Sequence, residues 1–568
     1  MKYIKLAEFY KEVSSTTKRL EKTAILAKFL KGLTEEDKDI LYLLEGGIYP
    51  EYDERKIGIS GQLALKAIAK ATGTPNSKLV KEWKAIGDIG LVAEKFTLHK
   101  KQTTLGSTKV TTKKVIDNLR KLPELVGAGT VNKKIALITE LLTSAEPIEA
   151  LYLVRTLIGD LRIGVQEGTI REALALAYFK GDKESAETIQ RAIDKSNDLG
   201  LVFVIARKKK LTDLKKINLQ LGKPIKAMLA QKAKTIEEGF KNVGKPCMIE
   251  YKYDGFRLLI HKDKDKVTLF TRMLENVTKQ FPEVTEYVNK YVKSDSCILD
   301  SEAVGFNKKT KEYTDFQAIS QRIRRKHNIE ELQKKLPVEV NVFDILYYNG
   351  KSELDTPFEK RAKLVRKILK DHPYKIISSK TMISSDVKKV EKFYKQALKD
   401  NQEGIMMKAL DAEYKPGRRV GHMLKIKPSE RDLDLVITGA EYGKGKRKGW
   451  MSSFILSCKG DKKGEYLEIG KVGTGIAEKD NDITFESLTK MLTPLIIKEK
   501  GNEVKLKPKI IVAVTYQEIQ KSPNYESKWA LRFPRFTALR NDKPLSEIAD
   551  LKEVQEDFLK QKRNYRYG

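Results

Sequence analysis

The spacing of apolar residues changes twice along this 568-residue chain. Up to about residue 220 apolar residues recur at intervals of three and four, as in KLAEFYKEVSSTTKRLEKTAILAKFL, which is the period of an amphipathic helix. From about residue 223 short β-rich runs such as KVTLFTRM and VEVNVFDILYYNG alternate with helical patterns such as PFEKRAKLVRKILK. After residue 427 short strands such as LDLVITGAEYG and KIIVAVTYQEIQKS are separated by glycine turns.

These three patterns predict a multidomain protein, because a chain of this length is too long for a single hydrophobic core. We expect an all-α domain over residues 1–220 and an α+β domain over residues 221–427. Short strands in a segment of about this length are typical of a small β-barrel. We therefore expect a β-barrel domain of the OB-fold type over residues 428–568.

The charge of the chain favours a polyanionic partner. Lysine and arginine total 110 residues against 77 aspartates and glutamates, which gives a formal net charge of +33. Surface ion pairing, as in thermally adapted proteins, would balance the two signs. The imbalance makes nucleic acid the main candidate partner.

The cysteines and the apolar runs argue against several other protein classes. Cys247, Cys297 and Cys458 stand far apart and form no CxxC pair, which disfavours a zinc finger and a disulfide framework. The first 22 residues lack the apolar core and cleavage site of a signal peptide, and no run approaches about 18 uninterrupted apolar residues. We expect a soluble, intracellular protein.

One charged residue is unusual for its place. The run CMIEYKYDGFRLLIHK, residues 247–262, sets Lys252 and Asp254 among apolar residues that are typical of a β-strand. A buried ammonium without a partner costs several kcal/mol, so Lys252 is either half exposed or used in chemistry. If the run stays extended, Lys252 and Asp254 point to one face. If the chain bends at Asp254 and Gly255, the backbone can approach a phosphate and Arg257 returns towards the same place.

A nucleophilic lysine has to present a neutral amine, which an apolar strand or neighbouring cations would favour. The KxDG pattern by itself is a weak signal, because a surface hairpin with a salt bridge contains the same four positions. The order of the motifs around it carries more information than the pattern itself.

Seven motifs in order resemble the ATP-dependent DNA ligases of the archaeal and eukaryotic replicative type. EYKYDGFR resembles the adenylation motif of the covalent nucleotidyltransferases, and the others follow in the family's order: TRMLENVTKQFPE, LDSEAVGF, FDILYYNG, EGIMMK, LKIK and LRFPRF. The helical third also contains family-like stretches, among them LRIGVQEGTIREALALA. The resemblance therefore extends over nearly the whole chain.

The resemblance implies an enzyme that seals nicks in duplex DNA with ATP and Mg²⁺, in DNA replication, repair and recombination. Lys252 would attack the α-phosphate of ATP to form a lysyl-AMP phosphoramidate, and pyrophosphate would leave. AMP would then pass to the 5′-phosphate of the nick, where the adjoining 3′-hydroxyl would displace it. The protein's task in each step is to align the groups and to neutralise charge.

The resemblance also assigns roles to individual residues. Asp254 would assist the nucleophile, Glu250 would read the adenine edge, and Phe343 would stack on the base. The remaining nucleotide contacts are assigned as follows: ribose and neighbouring groups to Arg257, Arg272 and Glu302, phosphates to Arg419 and Lys425 with help from Lys427, and the β- and γ-phosphates to Arg532 and Arg535. Glu302 and Glu403 would hold Mg²⁺, which takes few protein oxygens together with water and phosphate.

Two alternatives compete with this interpretation. An RNA ligase or an mRNA capping enzyme shares the lysine motif, but the long helical N-terminal third argues against both. A non-catalytic DNA-binding scaffold of the same fold would not need Lys252 together with Arg532 and Arg535. One departure from the family pattern is Met423 in HMLKIK, where many relatives have tryptophan, and methionine can fill the same apolar volume.

The expected partner is nicked double-stranded DNA, bound by a monomer in the prokaryotic cytoplasm at the nucleoid. Residues 100–109, KKQTTLGSTK, stand where some relatives carry a sliding-clamp peptide. No aromatic pair follows Gln102 and Leu105, so an ordinary exposed turn is favoured over a clamp site. Residues 427–435, KPSERDLDL, form the polar connection best suited to a hinge before the barrel.

Overall fold

The computed structural model describes residues 1–100, 109–127, 129–314, 316–325, 327–428, 431–443, 445–462, 464–478 and 483–567. Side chains are described for these residues except 316–318, 324, 446 and 560–567. Residues 101–108, which belong to the segment predicted to be an exposed turn rather than a sliding-clamp site, lie outside the described residues. The exposed turn therefore stays a prediction.

The first third of the chain is helical, as its apolar period predicts. Its α-helices are α1 (Tyr3–Ser14), α2 (Arg19–Lys31), α3 (Ile40–Leu44), α4 (Gly61–Thr72), α5 (Asn76–Ile86), α6 (Ile89–Thr97), α7 (Thr112–Lys121), α8 (Thr130–Ser144), α9 (Pro147–Leu157), α10 (Glu167–Tyr178), α11 (Lys183–Ser196), α12 (Leu199–Arg207) and α13 (Leu211–Lys215). Local signals set their ends. Ser60 caps α4 by accepting a hydrogen bond from the amide of Leu63, and Gly73, with φ of +67°, ends the same helix.

These helices enclose one apolar cluster of their own. Its members include Leu6, Leu43, Leu65, Val154 and Phe203, each less than 2% exposed. The residues packed around it all lie between Met1 and Ile217. No described helix is both long enough and apolar enough to cross a membrane.

Strands begin at Leu229 and alternate with helices, which confirms the mixed α and β pattern predicted from the sequence. The strands are β1 (Leu229–Lys232), β2 (Cys247–Lys252), β3 (Phe256–Asp263), β4 (Lys266–Thr271), β5 (Ser296–Gly305), β6 (Val338–Tyr348), β7 (Lys351–Ser352), β8 (Ile376–Ser378), β9 (Thr381–Ser384), β10 (Gly404–Lys408) and β11 (Arg419–Ile426). The helices are α14 (Ile236–Val243), α15 (Pro282–Tyr291), α16 (Phe316–Arg324), α17 (Ile329–Lys335), α18 (Phe358–Ile368) and α19 (Val387–Lys399).

These strands form two sheets. One has the order β1-β11-β10-β2-β9, with β1 parallel to β11 and β2 antiparallel to β9. The other has the order β4-β3-β5-β6-β7, and β8 pairs with β6 in parallel. Because β2 and β3 belong to different sheets, the three residues between them lead the chain from one sheet into the other.

The last part of the chain is mostly strands, as predicted. Its elements are β12 (Arg431–Tyr442), β13 (Met451–Lys459), β14 (Tyr466–Val472), α20 (Phe485–Leu492), β15 (Ile496–Lys500), β16 (Glu503–Leu506), β17 (Ile511–Tyr516), β18 (Glu518–Lys521), β19 (Trp529–Arg532), β20 (Arg535–Leu539) and α21 (Leu551–Tyr567). The long strand β12 pairs with β13, β16 and β17, so it lies at the centre of a seven-stranded sheet. Apolar residues that include Leu435, Phe454 and Val512 form the core against this sheet.

Strand β12 corrects the expected hinge. Residues 431–436 are not a loose connection, because each pairs with a residue of β17. Leu433 and Leu435 alternate into the core, which is the pattern of a half-buried strand. A hinge in this segment can therefore extend only over residues 427–430, and residues 429 and 430 lie outside the described part of the chain.

The chain divides into two compact units. The first contains residues 1–233, 237–385 and 406–425, and the second contains residues 234–236, 386–405 and 426–568. The predicted boundaries between three domains, at residues 220 and 427, stay predictions.

Candidate active site

Lys252 is the last residue of β2, and the chain turns immediately after it. Residues 253–255 form the turn, and β3 starts at Phe256 in the other sheet. Of the two possibilities that the sequence left open, the bend is confirmed and the continuous extended run is wrong. Lys252 itself is half-buried, and it shares a face of β2 with Glu250, since alternate residues of a strand point the same way.

Two tyrosines fix the chain on both sides of Lys252. Tyr253 is 6% exposed, and its hydroxyl accepts a hydrogen bond from the backbone amide of Lys380 at 2.9 Å. Tyr251 is 5% exposed, and the ammonium of Lys380 lies 5.2 Å from its ring centroid. The backbone around Lys252 is therefore held at two points against the segment between β8 and β9.

Gly255 is required by a close approach of two backbones. A Cβ atom at this position would lie 2.3 Å from the carbonyl oxygen of Ala303 and 3.1 Å from Cγ of Glu302. Backbone atoms of a buried strand cannot move aside cheaply. The glycine therefore allows the turn after Lys252 to lie directly on β5.

We predict that Gly255→Ala lowers the free energy of unfolding by about 1–3 kcal/mol, because the added methyl group has to displace β5 or the turn. Gly421→Ala is the matched control. A Cβ atom at Gly421 would meet only the side-chain amide of Gln231, at 3.9 Å, so this change should stay within about 0.5 kcal/mol. Chemical denaturation of both variants measures the difference, and equal effects would contradict the close-approach argument.

A buried ion pair lies beside Lys252 on the same sheet. Glu250 is 2% exposed, Lys408 of the neighbouring strand β10 is 5% exposed, and Oε2 of Glu250 lies 2.5 Å from Nζ of Lys408. The same Nζ lies 4.8 Å from the ring centroid of Phe343 and 4.5 Å from that of Phe358. Burial raises the pKa of Glu250, and the charge of Lys408 opposes this shift.

Phe343 stands at an irregularity in β6. Asp300 pairs with Asp344 and Ser301 pairs with Val342, so Phe343 is an extra residue on its strand. Such a bulge re-aims a side chain and is frequent next to active sites. Phe343 is accordingly half-buried although Val342 and Asp344 on either side are buried.

The guanidinium of Arg257 is largely engaged by the protein itself. Nε donates to Oδ1 of Asp300 at 2.8 Å, and the second bond of this bidentate pair goes from one terminal nitrogen to Oδ2. The other terminal nitrogen donates to the carbonyl of Met228 at 2.8 Å, and the nitrogen that bonds Oδ2 also donates to the hydroxyl of Tyr414 at 3.1 Å. Arg257 therefore joins β3, β5 and the segment before β1, while its guanidinium lies 5.3 Å from the Phe343 centroid.

Other predicted residues of the first unit lie around the same strands. Glu302 is half-buried and pairs with Arg257 across the β5–β3 ladder. Arg272 is exposed in the turn that follows β4. Arg419 is exposed at the start of β11, and Lys425 near its end is half-buried.

Met423, the departure from the family pattern, is a core residue of β11. It is 5% exposed and belongs to an apolar cluster that also contains Leu346 and Tyr414. Methionine thus fills an apolar volume at this position, as the sequence analysis expected.

In the second unit Glu403 and Lys427 form an ion pair of 2.9 Å. Nε2 of Gln517 donates to the same carboxylate oxygen of Glu403 at 3.2 Å. Gly404 follows with φ of +143°, and a Cβ atom there would lie 2.2 Å from the carbonyl oxygen of Ile426. Glycine is therefore needed directly after Glu403 for both conformation and space.

Arg532 and Arg535 lie on β19 and β20 of the second unit. Arg532 is 19% exposed and donates to Oε1 of Glu518 at 2.7 Å. Arg535 is exposed and stands opposite Thr515 in the pairing of β20 with β17. Arg532 is thus on the two-stranded sheet of β18 and β19, and Arg535 is on the seven-stranded sheet.

Among the described residues no three histidines, cysteines, aspartates or glutamates come together as a metal cluster. Mg²⁺ does not need such a cluster, since it commonly takes one or two carboxylates and fills its other positions with water and phosphate. The half-buried Glu302 fits that role, and Glu403 fits it if the metal or its water shares the oxygen that Lys427 now contacts.

Three supporting residues were not predicted from the sequence. Lys408 ends the apolar run GIMMK, just as Lys252 ends CMIEYK. A lysine at the end of an apolar strand was the sequence signal that could have identified Lys408. Asp300 precedes Glu302 in the same quoted motif and is 1% exposed. Tyr414, whose hydroxyl also donates to Asp300 at 2.8 Å, had no local signal.

Three family models match the chain in order. They are described as DNA ligase N terminus over residues 2–175, ATP dependent DNA ligase domain over residues 227–427, and ATP dependent DNA ligase C terminal region over residues 447–543. A DNA ligase of Nanoarchaeum equitans is 42% identical over 561 residues, which cover 98% of each chain. A DNA ligase of Thermococcus fumicolans is 39% identical over 566 residues, with 99% of each chain covered.

A solved structure titled Pmar-Lig_Pre. has a TM-score of 0.59 at 18% identity, and the match covers 94% of this chain and 99% of that one. This likeness concerns the fold, and it agrees with the predicted order of a helical domain, a nucleotidyltransferase domain and an OB-fold domain. The full-length identities decide against an RNA ligase, a capping enzyme and a non-catalytic scaffold. The chain belongs to the ATP-dependent DNA ligases.

Proposed function

We propose that Lys252 carries AMP in this ligase. The observation that supports the proposal most is the position of Lys252 on the face of β2 that also bears Glu250, at the start of a turn fixed by Tyr253 and Gly255. A nucleophile and the pocket for a base are thereby held on one rigid strand. Such positioning can supply several kcal/mol of the barrier reduction in a bimolecular displacement.

The reaction then proceeds by three displacements at phosphorus. In the first, Nζ of Lys252 bonds to the α-phosphorus of ATP, the amine gives up its proton, and the bond to pyrophosphate breaks. In the second, an oxygen of the 5′-phosphate at the nick displaces the lysine and takes AMP. In the third, the 3′-hydroxyl loses its proton, bonds to the 5′-phosphorus and expels AMP.

The nucleotide is held by the residues around the Glu250–Lys408 pair. Glu250 accepts from the adenine amino group and Phe343, turned outward by its bulge, stacks on the base. Glu302, Arg272 and, through the pairing of β3 with β5, Arg257 surround the ribose. Arg257 contributes mainly by positioning these strands, because its guanidinium already donates to Asp300 and to the carbonyl of Met228.

Charge on the phosphates is neutralised by lysine and arginine side chains. Arg419 and Lys425 act on the α-phosphate, Lys427 assists, and Arg532 and Arg535 act on the β- and γ-phosphates of ATP. Glu302 and Glu403 are the proposed ligands of Mg²⁺, which when bound would neutralise phosphate charge and polarise the phosphorus. Asp254 assists at the turn beside the nucleophile.

We further propose that a monomer acts on nicked DNA of the chromosome in a prokaryotic cytoplasm. The net charge of +33 supports contact with many phosphates. Sealing assays with ATP and Mg²⁺ on matched nicked DNA and nicked RNA test the substrate. Efficient sealing of the DNA nick alone is expected, and preferential sealing of RNA would contradict the proposal.

Nick affinity is predicted to fall steeply with salt, because binding through phosphate contacts releases counterions. If about six to ten phosphates are neutralised, affinity should drop by about 10³-fold or more between 50 and 200 mM salt, with little dependence on base sequence. Fluorescence anisotropy of a labelled nicked duplex over this range measures the slope. A flat response would mean that the basic surfaces contribute little to DNA binding.

A further inference from the structure

Lys408 is a buried cation whose role the nucleotide contacts above do not explain. Its side chain is 6% exposed, its Nζ lies 2.5 Å from Oε2 of Glu250, and it sits between the rings of Phe343 and Phe358. Burying a lysine is costly unless it is paired. The partner is the carboxylate that the proposed function assigns to the base.

The state of that carboxylate decides which base it can bind. An ionised carboxylate only accepts hydrogen bonds, whereas a protonated one can also donate. The amino group on C6 of adenine is a donor, and the oxygen on C6 of hypoxanthine or guanine is an acceptor. Glu250 therefore favours adenine only while the oxygen that faces the base has no proton.

Lys408 is the group best placed to keep a proton off the Glu250 oxygen that faces the base. It occupies Oε2, so a proton shared by the pair lies between Nζ and Oε2 and leaves Oε1 as an acceptor in either case. Burial raises the pKa of Glu250 and the nearby charge of Asp344 on β6 raises it further, while Lys408 and Arg366 of α18 lower it. Tyr253 also faces Glu250, and Arg361 is paired with Asp344.

We propose that Lys408 sets the preference of this ligase for ATP over 6-oxopurine nucleotides, by holding Glu250 as a hydrogen-bond acceptor. Lys408 is thus a positioning residue that acts through Glu250. The inference rests on the proposed function, in which Lys252 takes the nucleotide and Glu250 reads the base. The role of Lys408 explains how the base is selected, which membership of the family does not specify.

The test is self-adenylation of Lys408→Met, an uncharged replacement of similar length. Initial rates of adduct formation are measured with α-labelled ATP and with α-labelled inosine triphosphate (ITP), whose base is hypoxanthine, at pH 6.5 and pH 8.5. We expect the ATP:ITP ratio of rates to fall by about 10- to 100-fold at pH 6.5, since a hydrogen bond to a charged group is lost. The ratio should recover in part at pH 8.5, because a carboxyl with a raised pKa ionises as the pH rises.

Two variants serve as controls. Arg322→Met breaks a comparable buried pair, in which Arg322 is 2.6 Å from Glu283 and 4.4 Å from the Phe281 centroid, and it should leave the ATP:ITP ratio unchanged. Lys408→Arg retains the charge and should keep most of the preference. If Lys408→Met does not fold, as judged by its thermal midpoint, Lys408→Gln is used, which can donate to Oε2 without charge and should shift the ratio in the same direction.

The possible results distinguish the role of Lys408 from the proposed function of Lys252. A lowered, pH-dependent ratio in Lys408→Met or Lys408→Gln, with an unchanged ratio in Arg322→Met, supports the inference. An unchanged ratio in a folded Lys408 variant overturns it while the wild-type adduct leaves the proposed function intact. A wild-type protein that forms no adduct with ATP overturns both.

Discussion

Lys252→Ala is expected to abolish enzyme-bound AMP, with no adduct detectable after prolonged incubation with α-labelled ATP and Mg²⁺. The neighbouring lysine, Lys408 of β10, is held in the ion pair with Glu250 at 2.5 Å, so it is not expected to take over the displacement. Binding to nicked DNA should remain within about twofold, because one charge among the many that contact phosphate changes the affinity little. Gel autoradiography and anisotropy measure the two quantities on the same preparation.

Two further variants sharpen this prediction. Lys252→Arg should fail as completely as alanine, because a guanidinium stays protonated and cannot attack phosphorus. Lys262→Ala is the control, since Lys262 is a buried lysine on β3, in the other sheet. Lys262 is 6% exposed and donates to the carbonyl of Lys264 at 2.9 Å, away from the proposed site, so adduct formation should persist. Appreciable adenylation of Lys252→Ala would refute the assignment of the nucleophile.

Arg532→Ala is expected to lose self-adenylation by on the order of 100-fold or more, the usual effect of removing one group that stabilises developing charge on a phosphate or oxyanion. Its proposed contact is with the β- and γ-phosphates, which leave after the first displacement. The variant should therefore still seal a nick whose 5′-phosphate already carries AMP. Rates of adduct formation and of sealing the pre-adenylated nick are measured on the one variant.

Glu518 provides the matched control, because Arg532 donates to it at 2.7 Å within the two-stranded sheet of β18 and β19. If Arg532 acted only through this ion pair, Glu518→Gln would reproduce the loss. We expect Glu518→Gln to retain adduct formation. Normal adduct formation with weak nick binding in Arg532→Ala would make this arginine a DNA contact, and equal loss of both activities would make it structural.

The fold class follows from the apolar pattern, because the helical period holds over the first third, strand and helix patterns alternate in the middle, and strand patterns dominate the last part. The helices of the first third and strands such as β5 and β12 were predictable for this reason. The bend after Lys252 was not decided by the local sequence. What fixes it is the contact of Gly255 with Ala303, and that contact exists only once β3 and β5 pair.

The motifs in the sequence predict individual candidate site residues, but they do not predict the contacts between those residues. The outward turn of Phe343 depends on the register of β5 against β6, and no local pattern specifies that register. The Glu250–Lys408 pair depends on strand order, which places β10 next to β2 although the two are distant in sequence. The expected hinge was too long because DLDL is polar in composition, whereas its alternation is that of a strand.

The position of the bound AMP tests the central claim most directly. The protein is incubated with α-labelled ATP and Mg²⁺, freed of nucleotide, digested and mapped by mass spectrometry, and a second portion is mixed with nicked DNA without ATP. We expect one acid-labile adduct, on Lys252, and transfer of its label to DNA 5′-phosphate followed by release of AMP as the nick is sealed. An adduct on another residue, or label that stays on the protein while the nick is sealed, would contradict the account.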